Sequence, residues 1–357
     1  MFLKSLSLQN FRNYDKAEFE FFKDIIVIVG PNTSGKTNFA EGISALSVGK
    51  SPRADKDEEI IGFGKDSASI TGIITSKSLD DDKTSLQMIL AKREDRGISK
   101  KYLVNKVTKR RIDFAGNLLA VLFSPEDLDI LIGGPSLRRR LLNEILEQTD
   151  RDYRNAFTVY EKALRQRNAL LYSARETGQR NEKQFEYWDK LIVENGGVIT
   201  KKREELIENI NNFSKEIFDF VAFYDKSTIS EERLTKYKDA EVASAVTLVG
   251  PHRDDVSFSM FLGNSTYDIK SFGSRGQQRL TILQIKLVEL SIIEEKMGIR
   301  PILLLDDIFS ELDSGHIKLI FEILGKQQTF ITTTHKEFIE KEKLKEMQVI
   351  ELIGKRN

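Results

Sequence analysis

The chain has 357 residues, 40% hydrophobic and 31% charged, enough for two packed domains or for one large domain carrying an insertion. Lysine plus arginine and aspartate plus glutamate both total 55, so net charge gives no attraction to nucleic acid and a local basic patch would have to supply it. There is no cysteine, which excludes a disulfide framework and a cysteine metal site.

The first ten residues alternate apolar and polar side chains like a strand, without the basic start and apolar core of a signal peptide. No apolar run approaches the roughly 20 residues of a membrane span, so the reading is a soluble, cytoplasmic protein with no membrane partner. Residues 2–29 are predicted to be β-structure. Ile25, Ile26, Val27, Ile28 and Val29 form a continuous β-branched run, as expected of a strand buried on both faces. A glycine loop follows, and then Phe39, Ile43 and Leu46 recur at helical spacing.

Residues 66–125 read as further strands, with a turn expected at Asp80, Asp81 and Asp82. After Gly133, Gly134 and Pro135 the texture changes to long charged helices up to about Phe223, with breaks expected at Gly178 and at Gly196–Gly197. From about residue 245 the α/β alternation returns, with core strands at residues 302–305 and 329–333 and a helix over residues 274–295. This order predicts an α/β fold in which one nucleotide-binding core is split by a helical lobe. The expected divisions are 1–125, 126–245 and 246–357.

The loop itself reads Gly30, Pro31, Asn32, Thr33, Ser34, Gly35, Lys36 and Thr37, followed by Asn38. Strand, glycine loop and helix in that order make a phosphate cradle. The glycines let the backbone approach the phosphates, successive N–H groups point inward, and the helix N-terminus favours anions. Lys36 is placed to reach the β- and γ-phosphates of ATP, and the Thr37 hydroxyl to hold Mg²⁺. A second signal is the apolar run ending in Asp306 and Asp307. One carboxylate there can bind Mg²⁺ and the next can polarise an attacking water. A third is the small-residue stretch containing Ser274, Gly276 and Gln277 just before a helix, which again permits close approach to an anion.

These three elements in this order resemble the ATPase heads of the ABC superfamily, whose core is a mixed β-sheet with helices and whose signature loop, the third element, contacts the nucleotide of a partner subunit. By the same resemblance the segment Ser310 to Asp313 is similar to a D-loop, and the loop carrying His335 to a γ-phosphate-sensing switch; a surface histidine is the alternative. The opening motif with Phe11, Arg12 and Tyr14 is similar to that of the SMC-like ATPases. Further blocks, among them residues 123–128, 134–142, 250–255, 274–279 and 306–313, resemble the RecF recombination-mediator family over nearly the whole chain.

That resemblance implies a weak DNA-dependent ATPase supporting DNA replication, recombinational repair and the SOS response. ATP would induce a head-to-head homodimer. The dimer would clamp gapped, single-stranded or single/double-strand junction DNA without regard to sequence, and with RecO and RecR it would help load RecA. Arg12 is implied to contact the nucleotide, with a structural salt bridge as the alternative. The rival reading is the ATPase subunit of an ABC transporter.

Three departures stand out. Thr33 occupies a loop position where many relatives have glycine, so either Thr33 is strained or Asn32 absorbs the turn. The second acid is Asp307 where glutamate is usual in exporters, which suits slow hydrolysis. Residues 123–128 contain no glutamine where related heads have a metal-sensing one, leaving Ser124 and Glu126 as candidates. In the helical segment Arg138, Arg139, Arg140, Arg151, Arg154, Lys162, Arg165 and Arg167 form a basic excess, interleaved with Glu144, Glu147, Asp150, Asp152 and Glu161. The excess suits phosphate contact or, equally, solvated ion pairs. Tyr153, Phe157 and Tyr160 lie at a spacing better suited to core packing than to base stacking.

Overall fold

The computed structural model describes residues 1–76, 79–93, 97–263, 265–308, 325–334 and 345–353. The chain divides into two compact units, residues 1–127 with 289–357, and residues 128–288.

In the first unit, β1 (Phe2–Phe11), β2 (Tyr14–Glu20), β4 (Ser67–Ser76), β5 (Leu79–Arg93), β6 (Gly97–Val104) and β7 (Val107–Lys109) form an antiparallel sheet in the order β2-β1-β4-β5-β6-β7. A second sheet is parallel throughout. It comprises β3 (Ile25–Val29), β8 (Ala120–Phe123), β12 (Ile302–Asp306), β13 (Thr329–Thr333) and β14 (Gln348–Glu351), in the order β14-β3-β13-β12-β8. The apolar run of β3 is explained by this position, with parallel neighbours on both edges and both faces covered.

The helix Lys36–Val48 lies against strands of both sheets. Phe39, Ile43 and Leu46 are wholly buried, and the Phe39 ring meets Phe19 edge-on at 5.0 Å. Burying one such ring stabilises by roughly 2–3 kcal/mol, so the helix is fixed at its first turn, where the glycine loop joins it. The turn expected at residues 80–82 falls inside β5, at a register irregularity: Leu79 pairs with Ser76 and Lys83 with Thr75, so the register gives residues 80–82 no partner on β4.

The second unit includes the long helices Pro135–Thr149, Arg151–Thr177 and Glu182–Asn212. Its antiparallel sheet, in the order β11-β10-β9, comprises β9 (Val221–Asp225), β10 (Asp255–Leu262) and β11 (Ser265–Asp268). Helix therefore gives way to strand before Phe223, which lies inside β9. The break at Gly178 is present as a left-handed cap with φ 69°. The break expected at Gly196–Gly197 is absent, and the helix runs through. A Cβ on Gly196 would come within 2.6 Å of Ile229 and 3.2 Å of Tyr160, so this glycine serves close packing instead of termination.

Much of the basic excess is internal to this unit. Arg138 is buried and forks onto Asp255 at 2.7 and 3.1 Å. Arg167 is fully buried and pairs with Asp189 at 2.5 Å and Glu241 at 2.7 Å. Arg203 donates to Asp254 at 2.9 Å and to the Pro251 carbonyl at 2.7 Å. His252 bridges Tyr160 Oη at 2.7 Å and the Thr247 carbonyl at 3.0 Å, and burial lowers its pKa to about 4, so it is neutral. The block at residues 250–255 thus ties helices to the sheet. Removing one partner of such a buried pair typically costs about 3–5 kcal/mol. Arg151, Lys162 and Arg165 remain on the surface, whereas Tyr153, Phe157 and Tyr160 are buried. Among the described residues, no helix is long and apolar enough to cross a membrane.

Candidate nucleotide-binding site

The register of the parallel sheet brings three strand ends together: Val29 stands opposite Thr333, and Thr332 opposite Asp306. The glycine loop leaves β3 and the two acids end β12 at this one edge. Crevices outside the carboxyl ends of parallel strands are where open α/β sheets bind ligands.

The loop is held from within. Gly30 N–H donates to the Thr333 carbonyl at 3.3 Å, Ser34 N–H to Pro31 O at 3.2 Å, and Phe39 N–H to Gly35 O at 2.8 Å. Gly35 has φ 103°, and a Cβ there would lie 2.9 Å from the Tyr14 hydroxyl, so conformation and space both require glycine. Thr33, and not Asn32, takes the left-handed conformation, at φ 70°. For a β-branched residue that is a true outlier, costing on the order of 1–3 kcal/mol. Thr33→Gly is therefore expected to raise unfolding stability by about 1 kcal/mol after the entropy cost of glycine. Thr33→Val should give no gain. Equal denaturation midpoints for wild type and Thr33→Gly would remove the strain argument.

Lys36 is buried, and its Nζ donates to Gly30 O at 2.9 Å and Pro31 O at 3.0 Å. Burial pushes its pKa down; Asp307 and then Asp306 oppose the shift. Asp306 is buried and accepts from Thr332 Oγ1 at 2.5 Å and from the Thr37 hydroxyl. Burial raises its pKa, and those two hydrogen bonds act against the rise. Asp307 has φ 51° and donates its N–H to Thr332 O at 3.1 Å. Ser34 Oγ is buried with no hydrogen-bond partner among the described residues. A cradle of small residues, a buried ammonium, an unsatisfied hydroxyl and a threonine beside a buried carboxylate fit a nucleoside triphosphate with Mg²⁺, which typically takes only one or two protein carboxylates.

The turn between β1 and β2 braces the loop. Asn13 Nδ2 donates to Thr33 O at 3.2 Å, Asn38 Nδ2 donates to Asn13 Oδ1 at 2.8 Å, and Tyr14 Oη donates to Gly35 O at 3.1 Å. Burial raises the Tyr14 pKa, keeping the phenol a donor. Arg12, at φ 52°, reaches buried Glu41 with Nε at 3.1 Å and Nη2 at 2.8 Å, and gives Nη1 to Glu59 O at 2.8 Å. The salt bridge is thus formed on the helix that follows the loop. The sequence assigns neither Asn13 nor Tyr14 a role at the loop. Both belong to the opening motif, but nothing in their spacing reveals that the turn folds onto a loop some 20 residues on.

Of the two residues weighed against the absent glutamine, Ser124 is tied to Asp127, with its N–H donating to Oδ2 at 2.7 Å. Glu126 is exposed and pairs with Arg53 at 3.2 Å.

Ser274, Gly276 and Gln277 lie in the second unit, at the start of the helix Arg275–Met297. Ser274 N–H donates to Gln277 Oε1 at 2.8 Å, and Gln277 N–H donates to Ser274 Oγ at 3.2 Å. This reciprocal capping box presents an exposed helix N-terminus. Gly276 is exposed beside it. Asp313 and His335 lie outside the described residues.

Comparison with known proteins bears on this arrangement. The family model described as RecF/RecN/SMC N terminal domain matches residues 2–353. The chain is 33% identical to the DNA replication and repair protein RecF of Bacillus pumilus, covering 98% of this chain and 97% of that protein. It is 35% identical to RecF of Shouchella clausii, covering 94% and 93%. A solved structure of the recombination mediator protein RecF-ATP in the RecFOR pathway is similar with TM-score 0.82 at 32% identity, over 95% of this chain and 93% of that one. An Smc head domain from Pyrococcus yayanosii, at TM-score 0.51 and 14% identity, shares the fold.

Proposed function

The chain belongs to the RecF family, and from that premise we propose that it is a DNA-binding ATPase of recombinational repair in which ATP acts as a dimerisation switch. The observation that carries this reading is the meeting of Lys36, Thr37, Asp306 and Asp307 at one edge of the parallel sheet.

In this reading the loop N–H groups from Gly30 to Thr37 and the Lys36 ammonium receive the phosphates. Asn13, Tyr14 and Asn38 keep the loop in shape. Thr37 and Asp306 would hold Mg²⁺, which supplies charge neutralisation across the phosphates. Asp307 orients the attacking water; its short arm and constrained backbone suit slow turnover, as a switch requires. Arg12, engaged by Glu41 and Glu59, acts by fixing the bracing turn. Ser274, Gly276 and Gln277 would close the site of a second copy of the chain, with Asp313 and His335 contributing as the resemblance implies.

DNA is the proposed macromolecular ligand, bound without base reading, with gapped or junction DNA preferred. RecO and RecR are the proposed protein partners and the cytoplasm the proposed setting. Exposed Arg151, Lys162 and Arg165 are compatible with phosphate contact. Full-length similarity to RecF proteins favours this reading over a transporter subunit.

The test is binding of gapped duplex DNA with and without ATP across a salt series. ATP should tighten binding at least about tenfold, and affinity should fall steeply with salt as counterions are released. Equal affinity with and without ATP would overturn the switch.

A further inference from the structure

Charge is balanced over the whole chain but not along it. From Leu79 to Phe114 there are ten lysines and arginines against six aspartates and glutamates, and from Gly97 to Ile112 there are six cations and no acid. That run forms β6, β7 and the entry to the short helix Arg111–Phe114, all in the first unit.

Three of the six cations are engaged by the protein itself. Lys100 pairs with Asp57 at 2.5 Å, Arg110 pairs with Asp113 at 2.9 Å, and Arg111 donates to Val48 O at 3.2 Å. Lys101, Lys106 and Lys109 are exposed, and none of them forms an ion pair among the described residues. The hairpin collects these three. Lys109 stands opposite Tyr102, next to Lys101, and Lys106 is at the tip of the β6–β7 turn. At about 3.4 Å per residue the tip is roughly 10 Å from the other two. Asn105 and Lys106 have φ 50° and 67°, the left-handed pair of a two-residue hairpin turn. Glycine is the usual second residue of such a turn, so the tip carries a cation at a cost in backbone strain.

Charge on an edge strand also keeps other strands from pairing with it. Either sign serves that purpose, and β7 has only three residues to protect. A run of cations without one acid instead complements a polyanion, and duplex DNA carries one negative charge per about 1.7 Å of its axis. The hairpin is also fastened to the nucleotide helix, at the end away from the phosphate loop. Tyr102 Oη donates to Gly49 O at 3.0 Å beside the Arg111 bond to Val48 O. Resting on the reading of DNA as the ligand, we propose that the β6–β7 hairpin is a DNA-backbone contact surface, with Lys101, Lys106 and Lys109 each set on a phosphate.

The experiment follows binding of the full chain to a fluorescein-labelled gapped duplex of mixed sequence by anisotropy, across a potassium chloride series, with and without ATP. The test variant combines Lys101→Gln, Lys106→Asn and Lys109→Gln, asparagine being tolerant of the left-handed turn. Its affinity should fall by at least about thirtyfold at roughly 0.1 M salt, and the slope of log affinity against log salt should flatten by about 2–3, since each phosphate contact contributes about 0.9. The pair Lys101→Gln and Lys109→Gln, which leaves the turn untouched, should flatten the slope by about 2. Replacing all three lysines with arginine should keep wild-type binding. Lys183→Gln, Lys190→Gln and Lys201→Gln together remove the same charge from the helix Glu182–Asn212 and should leave the slope unchanged. Thermal unfolding and ATP affinity of the test variant should match wild type. An equal loss in the two glutamine sets, an unchanged slope in the test variant, or no DNA binding by wild type overturns the proposal. So does a test variant that loses binding to polyglutamate but not to the duplex, because the surface would then receive an acidic protein. If ATP tightens binding and the test variant binds as wild type does, this surface fails and the ATP switch stands; if the test variant loses DNA and ATP has no effect, the switch fails and this surface stands.

Discussion

Lys36→Met is expected to lower ATP affinity by at least about a hundredfold while the protein stays folded. The ammonium has two tasks in this structure. It clasps Gly30 O and Pro31 O at 2.9 and 3.0 Å, which holds the loop mouth closed on itself, and it leaves one N–H for a ligand. Loss of two charge-assisted hydrogen bonds, one to the loop and one to phosphate, is worth about 3–6 kcal/mol, or roughly a hundredfold to ten-thousandfold in affinity. The fold should survive because burial already disfavours this charge; Asp307 and Asp306 offset that penalty only in part by direction. A thioether of similar length fills the same space without it. Titration calorimetry with ATP, beside a thermal melt, separates the two effects. Wild-type affinity in a folded Lys36→Met protein would sink the loop assignment.

The residues that carry local rules were legible in the sequence, and those fixed by distant contacts were not. Ile25 to Val29 announced a strand covered on both faces, and it is interior to a parallel sheet. The loop's glycines announced tight backbone, and Gly35 is left-handed. At Thr33 local reasoning left two outcomes, and the structure selected strain. Asn13 fixes Thr33 through its carbonyl, so a neighbour 20 residues away helps hold a conformation that threonine alone disfavours. Gly196 was read by its propensity as a break, but helix packing against Tyr160 and Ile229 uses the missing side chain instead. The arginine-rich stretch misleads for a similar reason. Arg138 and Arg167 find acids 117 and 22 residues away, pairings that no i,i+4 rule reveals.

Ser274→Asp is expected to abolish ATP-dependent dimers while leaving the monomer's stability and ATP binding intact. A bulky substitution such as Ser274→Arg is ambiguous here, because Ser274 also caps its helix: its hydroxyl accepts from Gln277 N–H at 3.2 Å while its own N–H is held by Gln277 Oε1 at 2.8 Å. Aspartate caps about as well as serine and suits the positive end of the helix. It therefore preserves the loop but places a carboxylate where the proposed dimer would bring a γ-phosphate. Like charges held together across an interface cost several kcal/mol. A two-fold dimer contains this contact twice, so association should weaken by at least about a hundredfold. Ser274→Ala has the opposite profile. It removes the cap, costing about 1 kcal/mol of stability, but adds no repulsion, so dimers should persist in sedimentation with ATP. If alanine abolished dimers and aspartate did not, the loop's shape would matter and its contact with a second nucleotide would not. Persistence of dimers in both variants would remove the signature loop from the switch altogether.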